Sequence, residues 1–178
     1  MSGADVSVRL AWPDDATAIA RVQRAVWTEQ LGDDARSLLE GSTVDPVEPW
    51  TLMITSPPDA RARVLVALER AEVRGVAFVH PCADPDADPV ADGEVGELLV
   101  HPDHRGAGHG TRLLQAAMDT LRADRFTRAH WWLRSDDDAT RAFVTATGWA
   151  PDGAHRELAA DDDTRLKQVR LVTSLVED

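Results

Sequence analysis

The chain has 178 residues, 43% of them hydrophobic, which suits one packed domain and excludes a disordered chain. Nineteen basic against 31 acidic residues leave a net charge of −12, which repels phosphate backbones and argues against nucleic acid as a partner. No apolar run is long enough for a membrane span, the N-terminus lacks a signal-peptide pattern, and the single cysteine, Cys82, precludes an intrachain disulfide, so a cytoplasmic protein is expected.

Val6 to Leu10 alternates as a short strand. Asp14 and Asp15 then open a helix, with acidic residues in the first turn as the helix dipole prefers, and Ala16, Ile19, Ala20, Val22, Val26 and Trp27 form its apolar face. A short second helix is expected at Asp34 to Glu40, followed by a loop; Trp50 to Ile54 reads equally as a helix end or a short strand. Arg63 to Glu69 and Val73 to His80 are two strands joined tightly through residues 70–72. Residues 81–93 form a polar Pro/Asp loop, which makes Cys82 a loop thiol rather than a nucleophile.

Glu94 to Val100 is a third, strongly apolar strand. Gly106 to Arg122 is the clearest helix, with Leu113, Leu114, Ala117 and Leu121 on one side and Arg112, Gln115, Asp119 and Arg122 on the other. Ala129 to Arg134 is a strand, Asp137 or Asp138 caps a helix through Thr147, and Gly148 stops it. Ala154 to Ala159 and Leu166 to Val176 close the chain as a hairpin around ADDDT. The order predicts one mixed α/β domain over residues 1–178, with a largely antiparallel sheet and one parallel crossover. The terminal hairpin offers a free edge, which makes a homodimer one expected assembly.

The informative chemistry lies in residues 93–114, GEVGELLVHPDHRGAGHGTRLL. A strand ends at Val100, Pro102 breaks it, and Gly106, Gly108 and Gly110 carry the backbone into a helix. Glycines at alternate positions let successive N–H groups converge on one concavity, and the following helix adds its positive end. Arg105 supplies a charged donor beside them. The ensemble suits an anion, most naturally a diphosphate. It is not a P-loop, because Gly110 is followed by Thr111 and Arg112 without lysine, and the glycine spacing departs from a dinucleotide fingerprint.

The segment resembles the signature of the GNAT superfamily of acetyl-CoA dependent N-acetyltransferases. That signature is Arg/Gln-x-x-Gly-x-Gly/Ala at a strand-to-helix turn after an apolar strand ending in Val-x-Pro; here it reads Arg105-x-x-Gly108-x-Gly110 after Leu98-Leu99-Val100-His101-Pro102. A looser second motif runs from Asp137 through Phe143 and Val144 to Gly148-Trp149. The resemblance implies a single GNAT-like domain with a mostly antiparallel sheet of six to seven strands and about four helices. It implies acetyl-CoA as the acetyl donor, no metal, and direct transfer to a primary amine, most simply of a small molecule. By the same resemblance Leu98, Leu99 and Val100 pair with the pantetheine arm, and the Leu98 N–H faces the thioester carbonyl. Arg105, Gly106, Ala107, Gly108, His109, Gly110 and Thr111 form the pyrophosphate cradle. Two other functions share these features: a catalytically silent acyl-CoA binding module, and an N-acetyltransferase of proteins or peptides.

Glu94 and Glu97 are the candidate bases. Plain strand alternation puts them on opposite faces, with Glu94 sharing a side with Leu98 and Val100. The chain has no tyrosine, and Val144 stands where many family members carry the tyrosine that protonates the leaving thiolate. Trp27, Glu29 and Trp50 lie in the region that often lines the acceptor site in this family. His101, His104 and His109 have no metal-ligand spacing, and the Asp triplets at 136–138 and 161–163 read as a helix cap and a turn.

Overall fold

The computed structural model describes residues 5–32, 46–159 and 165–177. Its strands are β1 (Val6–Leu10), β2 (Arg63–Glu69), β3 (Glu72–Pro81), β4 (Asp92–Val100), β5 (Arg128–Arg134), β6 (Ala150–Ala159) and β7 (Arg165–Ser174). The helices are α1 (Ala16–Leu31), α2 (Glu48–Thr55), α3 (His109–Ala123) and α4 (Asp138–Thr145). The helix expected at Asp34 to Glu40 and the turn at 161–163 fall outside the described residues.

The seven strands form one sheet in the order β1-β2-β3-β4-β5-β7-β6. Every pairing is antiparallel except β4 with β5. That exception follows from the α3 crossover, since a parallel return needs a helix-length connection. Period-two strands give the sheet two apolar faces. On one, Leu113, Leu114, Ala117, Met118 and Leu121 of α3 pack on Leu65, Ala77, Val79, Val95, Trp131 and Leu171. On the other, Ile19, Val22 and Val26 of α1 and Trp50 of α2 pack on Val64, Val66, Leu68 and Val76. The amphipathic patterns of α1 and α3 thus serve opposite faces.

Several boundaries differ from the sequence-based expectation. Trp50 to Ile54 is helical throughout, within α2. The helix α3 starts at His109 rather than Gly106, because Gly106 (φ +79°) and Gly108 (φ +83°) take the left-handed conformation and stay in the loop. The last hairpin is longer than predicted: β6 begins at Ala150, and a register shift between Pro151 and His155 absorbs the residues that break its pattern. Asp137 caps α4, its carboxylate accepting from the Thr140 N–H at 3.1 Å.

Candidate active site

The parallel pairing that holds β4 to β5 is short. Asp92 to Val95 pair with Arg128 to Trp131, and beyond them the two strands part. The rest of β4, from Glu97 to Val100, stays paired with β3, while the rest of β5 pairs with β7. A wedge therefore opens between the two strands, edged on the β4 side by the backbone of Glu97 to Val100. Leu98, Leu99 and Val100 lie on this edge and are partly exposed.

The wedge widens toward the glycine loop. Pro102–His104 make one turn of 3-10 helix, and the His101 ring accepts from the Asp103 N–H at 3.2 Å. Gly106 and Gly108 then reverse the backbone, and Arg112 fastens the loop by donating to the Ala107 carbonyl at 3.0 Å. Among the described residues no side chain caps the first turn of α3, which leaves its leading N–H groups available to an anion. The His109 ring is 1% exposed with neither nitrogen hydrogen-bonded among the described residues, and burial lowers its pKa, so its backbone amide is what the loop presents. Arg105 is half-exposed and forms an ion pair with Glu29 at the end of α1. A residue expected in the cradle and one expected on the acceptor side thus hold each other.

The carboxylates of β4 do not follow the alternation rule. Glu97 pairs with Phe78 and Val95 with Val79, which leaves Gly96 as an extra residue without a partner on β3. The bulge adds one step to the count, so Glu94, opposite His80, and Glu97, opposite Phe78, share one face. The expectation that they face opposite sides is overturned. So is the grouping of Glu94 with Leu98 and Val100, which pack toward the α3 layer.

Each carboxylate has its own partner on this shared face. Glu94 Oε2 lies 3.0 Å from His80 Nε2, and His80 Nδ1 lies 2.8 Å from the Pro81 carbonyl. A Cβ on Gly96 would come within 2.8 Å of His80 Nε2, so the bulge needs glycine to admit this ring. Glu97 hydrogen-bonds to the Gln23 amide of α1, and the Gln23 oxygen accepts from the Trp50 indole at 3.0 Å. Burial pushes the Glu97 carboxyl up to about 7, with the Gln23 contact opposing it in part. Its Oε2 is buried without a hydrogen-bond partner among the described residues. Trp50 is buried, and Trp27 is half-buried on α1.

Comparison with known proteins matches residues 26–149, more than half of the chain, to the model of the acetyltransferase (GNAT) family. The chain belongs to the GNAT acetyltransferase family. Its fold is shared with the Salmonella typhimurium acetyltransferase yncA, solved with its cofactor acetyl-CoA, at a TM-score of 0.75 and 20% identity, over 97% of this chain and 95% of that one. The ribosomal-protein-alanine N-acetyltransferase of Brucella melitensis superposes at a TM-score of 0.76 with 19% identity, over 94% of this chain and 99% of that one. Among curated relatives, the mycothiol acetyltransferase of Nocardiopsis dassonvillei is 37% identical over 91 residues, which cover 49% of this chain and 25% of that protein. The mycothiol acetyltransferase of Mycolicibacterium gilvum is 33% identical over 132 residues, covering 68% of this chain and 40% of that protein. The chain therefore spans well under half the length of these relatives.

Within the GNAT framework, Val144 on α4 is fully buried in the core, so this position offers no proton donor. Sequence reading missed His80 and Gln23, the residues that hold the two glutamates. Neither sits in a motif, and only strand pairing and helix docking bring them to β4.

Proposed function

We propose that this chain is an acetyl-CoA dependent N-acetyltransferase that moves an acetyl group directly onto a primary amine of a small molecule. The observation that carries the reading is the wedge between β4 and β5 leading into a glycine loop whose free amides meet at the start of α3. In this reading the pantetheine arm lies along Leu98, Leu99 and Val100, adding main-chain hydrogen bonds to an exposed strand edge. The amides from Gly106 to Thr111, with Arg105, take the pyrophosphate. Recruiting Arg105 to a phosphate releases Glu29 to face a cationic acceptor.

Attack on the thioester requires a neutral amine, and the oxyanion that develops is stabilised by the Leu98 N–H. Glu94 and Glu97 face the α1–α2 side together, where Trp27 and Trp50 also lie, and this side would receive the acceptor. A carboxyl pushed up to about 7 is matched to taking a proton near neutral pH, which suits Glu97. Glu94, held by His80, is the second base. With Val144 in the donor position, the thiolate leaves unprotonated or takes its proton from water; a thiol pKa of about 8.5 makes it a tolerable leaving group. The transfer calls for no metal. A cytoplasmic setting fits a single unpaired thiol; among the described residues no helix is long and apolar enough to cross a membrane.

One observation favours a second reading, a silent acyl-CoA binding module: the buried, apolar Val144. A panel of primary amines, including peptide N-termini, monitored by thiol release from acetyl-CoA separates the two. The enzyme reading expects turnover with a small amine and its loss in Glu94→Gln or Glu97→Gln. Binding of acetyl-CoA without turnover by any amine supports the silent module instead.

A further inference from the structure

A separate cluster lies at the closed end of the wedge, where β4 and β5 are still paired. Cys82 and Asp84 begin the loop after β3, and His130 stands on β5 opposite Glu94. The Cys82 sulfur, a carboxylate oxygen of Asp84 and a ring nitrogen of His130 all lie within 4.8 Å of one another. The geometry points to a three-ligand site for a divalent cation of the zinc class, formed by Cys82, Asp84 and His130. This inference is independent of acetyl transfer.

His130 is the observation that asks for a ligand. It is 2% exposed, and among the described residues neither ring nitrogen has a hydrogen-bond partner. Its Nε2 lies 3.5 Å from Asp92 Oδ2, too long for a good hydrogen bond. A buried imidazole left in this state is costly, and a metal bond to one nitrogen with a carboxylate near the ring would satisfy it. The donor set also selects the metal. One sulfur, one nitrogen and one oxygen suit zinc and its neighbours, whereas calcium and magnesium ask for oxygen alone. A fourth tetrahedral position is left for solvent.

Charge around the site permits this. Asp84 accepts from the Trp132 indole at 3.0 Å and from Arg170 at 3.1 Å. Arg170 does not depend on Asp84, because it also holds Asp86 through two bonds of 2.8 and 2.7 Å and Asp152 at 2.8 Å. Its charge stays matched when Asp84 turns an oxygen to the metal. Zinc bonds of 2.0–2.3 Å place tetrahedral ligand atoms roughly 3.3–3.8 Å apart, so filling the site draws the three groups in by about 1 Å. As the sulfur–metal bond forms, the Cys82 thiol gives its proton to water, and the thiolate and Asp84 balance the cation. Because metal binding displaces this proton, affinity falls as pH drops. The bound ion would fasten the loop after β3 to β5, clamping the base of the wedge.

Cobalt(II) is the probe, because a cobalt–thiolate bond has a charge-transfer band in the near ultraviolet. Titration of Co2+ into the reduced 178-residue chain under anaerobic conditions should raise this band to saturation at one equivalent. Zn2+ should abolish it by displacement, and the melting temperature should rise with either metal. Cys82→Ser should remove the band, and His130→Gln should weaken binding on the order of tenfold or more, each variant first shown by circular dichroism to keep the fold. Absence of the band in the wild-type chain overturns the inference without any variant. So does a band that survives in Cys82→Ser, or an affinity unchanged by His130→Gln.

Discussion

Replacing Glu97 by glutamine changes one buried proton site and almost no volume. Burial holds the Glu97 carboxyl at about 7 against an ordinary 4.5, so the folded chain binds this proton more tightly than the unfolded chain does. Tighter binding in the folded state stabilises the fold most below pH 4.5, and the contribution is lost as pH rises through 7. The interval between 4.5 and about 7 corresponds to roughly 3 kcal/mol, as an upper figure. The substituted amide would be neutral at every pH and would keep a hydrogen bond to Gln23. Glu97→Gln should therefore gain stability relative to the wild type as pH rises from 4 to 8, by up to roughly 3 kcal/mol. Urea unfolding of both proteins across that range measures the difference, and groups common to both cancel. A stability difference that does not change with pH would refute the reasoning, because Glu97 would then be an ordinary solvated carboxylate.

Three other substitutions probe other parts of the structure. Gly108→Ala forces a side chain into the left-handed region at φ +83° and within 3.2 Å of Arg112, so it should cost about 1 kcal/mol or more and weaken acetyl-CoA binding; thermal melts and calorimetry measure both, and unchanged affinity would detach the loop from the cofactor. Gly96→Ala sets a Cβ 2.8 Å from His80 Nε2 and 3.0 Å from Phe78, so it should cost about 1–3 kcal/mol, with acetyl transfer reduced more than acetyl-CoA binding; equal losses would separate the His80–Glu94 contact from catalysis. Leu121→Ala empties a fully buried position of α3 and should cost about 2–5 kcal/mol, read as a lower urea midpoint; a smaller loss would mean that the core closes over the gap.

The apolar strand, the glycine loop and the amphipathic helix after it are legible in the sequence because each obeys a local rule: alternation, turn chemistry and a 3.6-residue period. The start of α3 is less so, since a glycine run does not show which members take positive φ until the loop is built. The faces of Glu94 and Glu97 are not legible at all. Their relation depends on the bulge at Gly96, and a bulge is a property of two strands, visible only once β3 is aligned beside β4. The same holds for Arg170. In sequence it is one of many arginines, and only the fold brings Asp84, Asp86 and Asp152 around it. Trp131 and Trp132 are more tractable. Adjacent strand residues must face opposite ways, and Trp131 indeed meets Trp149 edge-on in the core, 5.7 Å between rings, while Trp132 reaches Asp84. Burial raises the Cys82 pKa to about 12, which disfavours the thiolate that a nucleophile needs.

The central claim is that the wedge between β4 and β5, with the glycine loop beyond it, is an acetyl-CoA site. Isothermal titration calorimetry of the full chain with acetyl-CoA tests it directly. The account predicts saturable one-to-one binding, displaced by coenzyme A and weakened by Gly108→Ala. No binding at acetyl-CoA concentrations up to the millimolar range would contradict it.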